Sequence, residues 1–191
     1  RKESSAASDV YKRQGKKYQG DFINDEITGL GVLTYADGKK YDGSWVNGKL
    51  EGQGIYTDLT GNKYEGTWKN NLFHGDGKYI YSNGDIYEGD WINGEYNGKG
   101  KLSSSNGDEY IGLWANGKKE GQGILSNFNG QKYVGQWIKD LRSGDGSQTY
   151  LNGDRYEGEW SENKRDGFGI MNYANGNQYE GKWKKGLRNG I

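Results

Sequence analysis

The sequence predicts an all-β protein, an elongated single-layer antiparallel β meander, and three observations carry that prediction. Tyrosines recur at 18, 41, 64, 87, 110, 133, 156 and 179, always 23 residues apart. Each is followed at spacing two by a glycine and then by an aromatic residue, and Asn-Gly or a near variant separates one copy from the next. A fixed period of this length marks stacked supersecondary units, spacing two is the period of a strand, and Asn-Gly between alternating stretches signals a hairpin. No segment carries a helical period.

The first strand of each copy follows from Tyr-x-Gly-x-Trp. Residues two apart share a face, so a ladder of rings falls on one side: Tyr41 and Trp45, Tyr64 and Trp68, Tyr87 and Trp91, Tyr110 and Trp114, Tyr133 and Trp137, Tyr156 and Trp160, Tyr179 and Trp183. Phe22 takes the Trp place in the first copy, and all seven tryptophans of the chain are used in this way. The glycine between each pair of rings leaves a gap over which they close. The second strand carries glycines eleven and thirteen residues after the Tyr, such as Gly98 and Gly100, and then Leu102. The turn into the next copy reads Asn83-Gly84, Asn106-Gly107, Asn129-Gly130, Asn152-Gly153 and Asn175-Gly176, with Asp37-Gly38 and Thr60-Gly61 as variants. Eight first strands and seven second strands give a ribbon roughly 70 Å long at about 4.8 Å per strand. Its other face carries Asp42, Glu65, Glu88, Glu157 and Glu180 and is solvated.

Residues 15–191 are thus eight tandem repeats, the last truncated, and both ends read as those of a fragment. Residues 1–14, "RKESSAASDVYKRQ", have no repeat register and read as an unstructured segment or an artefact.

Composition narrows the function classes. Leu, Ile, Val and Phe number only 30 of 191 residues, too few for a thick aliphatic core, so the 16 Tyr and 7 Trp must supply the buried surface. The 26 basic residues balance 26 acidic ones, which argues against a nucleic-acid partner. With no cysteine there is no disulfide, thiolate metal site or cysteine nucleophile. Apolar runs are too short for a transmembrane helix or a signal-peptide core.

A 23-residue unit of Tyr-Glu-Gly-x-Trp, then Gly-x-Gly, then Asn-Gly resembles the MORN (membrane occupation and recognition nexus) repeat. "YEGTWKNNLFHGDGKYIYSNGDI" from Tyr64 and "YEGEWSENKRDGFGIMNYANGNQ" from Tyr156 follow the pattern almost throughout. The resemblance implies an elongated single-layer ribbon. Proteins of that family tether membranes, build cytoskeletal scaffolds, or carry the repeats beside a lipid kinase or histone methyltransferase domain. Phe22, Ile111, Val134 and Gln148 depart from the pattern.

Signs of chemistry are weak. "GLWANGKK" and "GSWVNGKL" have the Gly-to-Gly-Lys spacing of a phosphate loop but no following Ser or Thr and no helix, so they read as hairpin turns. Glu65 with Glu88, and Glu157 with Glu180, fall two strands apart, near the carboxylate separation of an inverting glycosidase, but on an open, wet face, and read as solvated residues. His74, the single histidine, reads as a turn residue without a partner for zinc or a catalytic dyad. No catalytic residue, cofactor or metal is expected.

Two surfaces remain. The turns within the later repeats become basic, with Lys118, Lys119, Lys139, Arg142, Lys164, Arg165, Lys184, Lys185 and Arg188 expected along one rim, a candidate site for anionic ligands. Glu120, Asp140, Glu162 and Asp166 dilute it. On the polar face, Ile111, Leu113, Ile124 and Val134 form a candidate docking patch.

The sequence therefore points to a non-enzymatic repeat scaffold for protein partners, working in cytoplasm. The alternatives are a peripheral module for anionic phospholipid membranes and the regulatory repeat region of a larger enzyme. Binding of choline or sugar by rows of Trp is disfavoured, because each repeat has one Trp, set apart from its Tyr by glycine. A weak homodimer through the C-terminal edge is also expected, because the hairpin partner of the strand from Tyr179 to Trp183 is missing and leaves its edge unpaired.

Overall fold

The computed structural model describes residues 9–13 and 15–190, and the expectation for residues 1–8 and 14 lies outside the described residues. Two compact units divide after Glu95. The first holds β1 (Asp9–Arg13), β2 (Lys16–Ile23), β3 (Glu26–Thr34), β4 (Lys40–Val46), β5 (Lys49–Thr57), β6 (Lys63–Lys69), β7 (Leu72–Ile80) and β8 (Ile86–Ile92). The second, from Tyr96 on, holds β9 (Glu95–Ser103), β10 (Glu109–Ala115), β11 (Lys118–Ser126), β12 (Lys132–Ile138), β13 (Leu141–Thr149), β14 (Arg155–Ser161), β15 (Lys164–Asn172), β16 (Gln178–Lys184) and β17 (Leu187–Arg188). Within each unit every strand pairs antiparallel with the next, so each is an all-β meander.

The register explains the glycines. Gly20, Gly31, Gly43, Gly54, Gly66, Gly77 and Gly89 face one another strand by strand across the first unit. In the second unit Gly100, Gly112, Gly123, Gly135, Gly146, Gly158, Gly169 and Gly181 do the same. Each repeat tyrosine folds back over this row: a Cβ on Gly43 would lie 2.5 Å from the Gln53 carbonyl oxygen and 2.6 Å from the Tyr41 hydroxyl oxygen. The phenol then donates to the carbonyl three residues on, as Tyr41 Oη does to Ser44 O at 3.0 Å and Tyr64 Oη to Thr67 O at 2.8 Å. The indole of each Trp donates to a glycine carbonyl of the preceding repeat, Trp45 Nε1 to Gly31 O at 3.1 Å and Trp183 Nε1 to Gly169 O at 3.1 Å. The polar atoms of both rings are thereby satisfied inside the core.

The core is this ladder. Tyr41, Tyr64, Tyr87 and Tyr156 are fully buried, the seven Trp are nearly so, and Leu50 and Met171 are its buried aliphatic members. Tyr179 and Phe22 are half-buried. Rings meet edge-on: Tyr41 contacts its own Trp45 and the next repeat's Trp68, each at 5.1 Å between centroids. Such pairs contribute about 0.5–1.5 kcal/mol each beyond their buried area, which lets a chain poor in aliphatic residues hold together.

Four points differ from the sequence reading. Residues 9–13, read as unstructured, form β1 against β2. His74 lies in β7, with its Nδ1 buried and without a hydrogen-bond partner, rather than in a turn. The strand from Tyr179 does have the start of a partner, since Trp183 and Lys184 pair with Arg188 and Leu187 of β17. Finally, the two-residue turns with both φ positive lie within the repeats, as at Asn47-Gly48 (49° and 72°). Between repeats, the chain makes a longer loop in which Gly84 N–H donates to Tyr81 O and Tyr81 N–H to Asp85 O, and only the glycine is left-handed.

The opposite face is wet and charged. Lys78 bridges to Glu88 at 2.6 Å, Lys63 to Glu65 at 3.1 Å, and Arg155 to Glu157.

Candidate functional site

The aromatic face has a second layer, set by the ninth residue after each repeat tyrosine. The two-residue turn places this residue directly opposite the Trp on the neighbouring strand: Trp45 faces Leu50, Trp68 faces Phe73, Trp114 faces Lys119, Trp137 faces Arg142, Trp160 faces Arg165 and Trp183 faces Arg188. Directly opposed residues share a face, so every ninth residue lies over the rings.

In the first unit this place is apolar, with Ile27, Leu50 and Phe73. A groove of about 360 Å³ runs there, lined by Tyr35, Leu50, Tyr56, Trp68, Asn71, Leu72 and Phe73. Phe73 stacks on Tyr64 at 3.8 Å between centroids and meets Trp68 and Trp91 edge-on.

In the second unit the same place begins with Tyr96 and then becomes cationic. Lys119 Nζ lies 5.0 Å from the Tyr110 ring centre and 5.2 Å from that of Trp137. The Arg142 guanidinium lies 4.6 Å from Trp160, that of Arg165 lies 4.0 Å from Trp183, and that of Arg188 lies 5.0 Å from Tyr179. Ring faces are the negative pole of an aromatic quadrupole and attract such cations. Burial pushes the Lys119 ammonium and the Arg142 guanidinium below their ordinary pKa values, with the carboxylates of Asp140 and Asp108 working the other way on Lys119.

Neighbours fix these heads. Arg142 donates through Nη1 to Gln148 Oε1 at 2.9 Å and through Nη2 to Asn163 O at 3.1 Å. Gln148 is the buried polar departure from the repeat pattern, and Arg142 accounts for it. Arg165 donates to Gly186 O at 2.7 Å, and Arg188 donates to the Tyr173 hydroxyl. A groove of about 660 Å³ opens beside them, its lining including Tyr150, Tyr173, Met171, Trp183, Arg165 and Arg188.

The predicted basic rim therefore divides. Lys119, Arg142, Arg165 and Arg188 leave it for the aromatic face, while Lys118, Lys139, Lys164, Lys184 and Lys185 stay exposed at the turns. The acids among them have structural work: Glu120 accepts the Lys139 backbone N–H at 3.0 Å, Asp140 that of Lys119 at 2.9 Å and Asp166 that of Lys185 at 3.1 Å. Asp166 also pairs with Lys184 at 3.2 Å. On the other face, Ile111 pairs with Ile124 and Ile124 with Val134, and Leu113 packs beside Gly121. Ile111, Leu113 and Val134 are exposed. Tyr35, Tyr56, Tyr150 and Tyr173, which line the grooves, were not singled out from the sequence. Recurrence of Tyr seventeen residues after the repeat tyrosine, at 35, 81, 150 and 173, is the signal that marks most of them. Among the described residues, no cluster of three or more His, Cys, Asp or Glu is placed to hold a metal ion.

A family profile described as MORN repeat matches residues 18–40, 41–63, 64–86, 87–109, 110–132, 133–155, 156–178 and 179–191. Among solved structures, the TCP domain of Drosophila melanogaster SAS-4, in complex with a proline-rich motif of Ana2, is similar with a TM-score of 0.51 and 16% identity. That match covers 83% of this chain and 88% of the other. The TCP10c domain of Drosophila melanogaster Sas-4 gives a TM-score of 0.45 at 17% identity, covering 83% and 98%. No curated protein sequence gives a significant match. At such identities the likeness is one of fold.

Proposed function

The chain belongs to the MORN repeat family, and on that premise we propose that it is a non-enzymatic scaffold whose aromatic face binds an extended segment of a partner protein. The observation that carries this reading is the pair of ring-floored grooves, one in each unit, lined by Tyr56, Trp68 and Phe73 in the first and by Tyr150, Tyr173 and Trp183 in the second. Aromatic-lined grooves suit extended, proline-rich chains, whose backbone needs little further ordering on binding. The SAS-4 TCP domain, similar in fold, is seen with a proline-rich motif, which supports the same mode here. The phospholipid alternative is weakened because four cations of the expected rim lie over rings and Lys184 is paired with Asp166.

Selection from a displayed random-peptide library tests the reading. Enriched peptides should lose binding to Tyr56→Ala or Tyr173→Ala and keep it for Glu88→Ser on the opposite face. Peptides indifferent to both groove variants, or no enrichment at all, would refute it. Co-sedimentation with anionic vesicles that is lost on substituting Lys139 and Lys164 by Glu would favour the lipid reading.

A further inference from the structure

We propose that the second unit's aromatic face recognises an acidic extended peptide with a carboxylate at every third residue, held by the column Lys119, Arg142, Arg165 and Arg188. The inference rests on the peptide-binding reading above and adds the partner's chemistry.

Three observations lead there. First, the charge is not directly paired: none of the four cations has a carboxylate within ion-pair distance among the described residues, while lysines on the opposite face do, as Lys78 with Glu88 at 2.6 Å; Asp140 and Asp108 act on Lys119 from farther away, and Asp154 lines the groove with Arg165 and Arg188. Arg142 and Arg165 are fixed by neutral carbonyl and amide oxygens and by ring faces, so each is oriented while guanidinium donors remain over. Fixed, partly desolvated guanidinium groups without a directly paired counter-charge are matched to a carboxylate.

Second, the change of chemistry is confined to one place in the repeat. Ile27, Leu50 and Phe73 show that this fold accepts apolar side chains there. Cations at the same place are therefore not required by packing.

Third, the spacing fits. Equivalent residues of successive repeats are two strands apart, about 9.6 Å. A polyproline II chain advances about 3.1 Å per residue with three residues per turn, so its residues i and i+3 share a side and stand about 9.3 Å apart. A chain running across the strands thus meets one cation per turn, and its intervening residues lie against Tyr150 and Tyr173. A membrane surface is a poorer match, because Lys119, Arg142 and Arg165 are half-buried against the rings, Arg188 being the exposed member of the column, while the exposed lysines sit at the turns.

The probes are synthetic peptides of identical length: four Glu-Pro-Pro units, an isomer with the four Glu in one block, and the Lys-Pro-Pro and Ser-Pro-Pro equivalents. Binding to the whole chain is measured by calorimetry. The periodic acidic peptide should bind about tenfold more tightly than the blocked isomer, and raising salt from about 50 to about 300 mM should weaken it severalfold. The variant Arg142→Leu, Arg165→Leu carries Gln148→Leu as well, so that no buried amide is left without its Arg142 partner, and uses the residues found at the equivalent positions 50 and 125; it should keep its circular dichroism and melting temperature and lose about tenfold or more in affinity. Lys164→Ser at the rim should bind as the parent does. Equal binding of both isomers, or tighter binding of the Lys or Ser peptide, overturns the acidic register. If the four probes fail while library-selected peptides still depend on Tyr173, the register is refuted and peptide binding stands. Failure of probes and library together refutes both. Attachment to anionic vesicles that needs Arg142 and Arg165, with no peptide binding, refutes both in favour of lipid.

Discussion

Tyr64 meets Trp91 of the following repeat edge-on, with 5.3 Å between ring centroids and 88° between planes. This contact, repeated by Tyr110 with Trp137 at 5.4 Å and Tyr156 with Trp183 at 5.4 Å, ties successive repeats together within each unit. Trp91 also donates its indole N–H to Gly77 O at 3.1 Å and is 4% exposed. Trp91→Ala should therefore cost about 3–5 kcal/mol, as other buried aromatic truncations do. Trp91→Phe should cost about 1–2 kcal/mol, because Phe22 fills the equivalent place and the main loss is one hydrogen bond. Denaturant titration separates the two. A loss under about 1 kcal/mol for the alanine variant would show that the ladder is not the core.

The glycine row admits no side chain. A Cβ on Gly66 would stand 2.5 Å from the Gly77 Cα, 2.7 Å from Asp76 O and 2.7 Å from the Tyr64 hydroxyl oxygen. Two of those three are backbone atoms, which cannot swing aside, so Gly66→Ala must push the strands apart or eject the tyrosine. We expect a destabilisation of about 3 kcal/mol or more, at the upper end for overpacking. Gly61→Ala is the matched control: φ is 88° there but a Cβ meets nothing within 4 Å, so only about 1–2 kcal/mol of backbone strain applies. Equal melting temperatures for the two variants would refute the close-approach account.

Much of this architecture was legible because spacing two fixes a face without any knowledge of the fold. Tyr87, Gly89 and Trp91 could only lie together on one side of β8, and the all-β repeat followed. The cation column was missed for a physical reason. Lys119, Arg142 and Arg165 sit just after the hairpin turns and were counted with the turns, whereas a two-residue turn pairs the second residue before it with one five places on, as Trp160 with Arg165. That pairing carries the arginine onto the ring face. A register shift between Gly158 and Trp160 moves the pairing by two residues and so keeps the faces, Gly169 and Arg165 both lying opposite the row of Tyr156, Gly158 and Trp160. Residues 9–13 lacked repeat spacing, and pairing with β2 orders them.

Alkaline pH should destabilise the fold. Burial pushes the phenols of Tyr133 and Tyr156 up to about 12 from an ordinary 10.0, with Arg142 and Arg165 respectively pulling the other way. Tyr41, Tyr64, Tyr87 and Tyr110 are raised further, again by burial. Between pH 10 and 12 the unfolded chain has lost these protons and the folded chain keeps them, so stability falls as pH rises. Below pH 10 the contribution is complete and pH-independent. Denaturation midpoints at about pH 9 and about pH 11 should show the drop, and phenolate absorbance should rise together with unfolding. Ionisation of most tyrosines near pH 10 with the far-ultraviolet signal intact would contradict the buried ladder.

The turns within the repeats offer a stabilising substitution. Both turn residues are left-handed, and Asn holds the first place at 24, 47, 70, 93 and 116 with φ between 49° and 52°. Glu162 occupies the same place at 48°. A side chain of this kind has its Cβ crowded by the following carbonyl in that conformation, at about 1–2 kcal/mol, whereas Asn tolerates it. Glu162 is exposed, and among the described residues its side chain makes no hydrogen bond or ion pair, so nothing is lost with it. Glu162→Asn should therefore raise stability by about 0.5–1 kcal/mol in denaturant titration. The reverse change, Asn116→Glu, places the strained residue in an otherwise equivalent turn and should lower stability by a similar amount. Reciprocal shifts would show that backbone conformation at this one residue, and not local charge, sets the turn's contribution. A gain from Glu162→Gln as large as that from Glu162→Asn would assign the effect to the removed charge instead and overturn the conformational account.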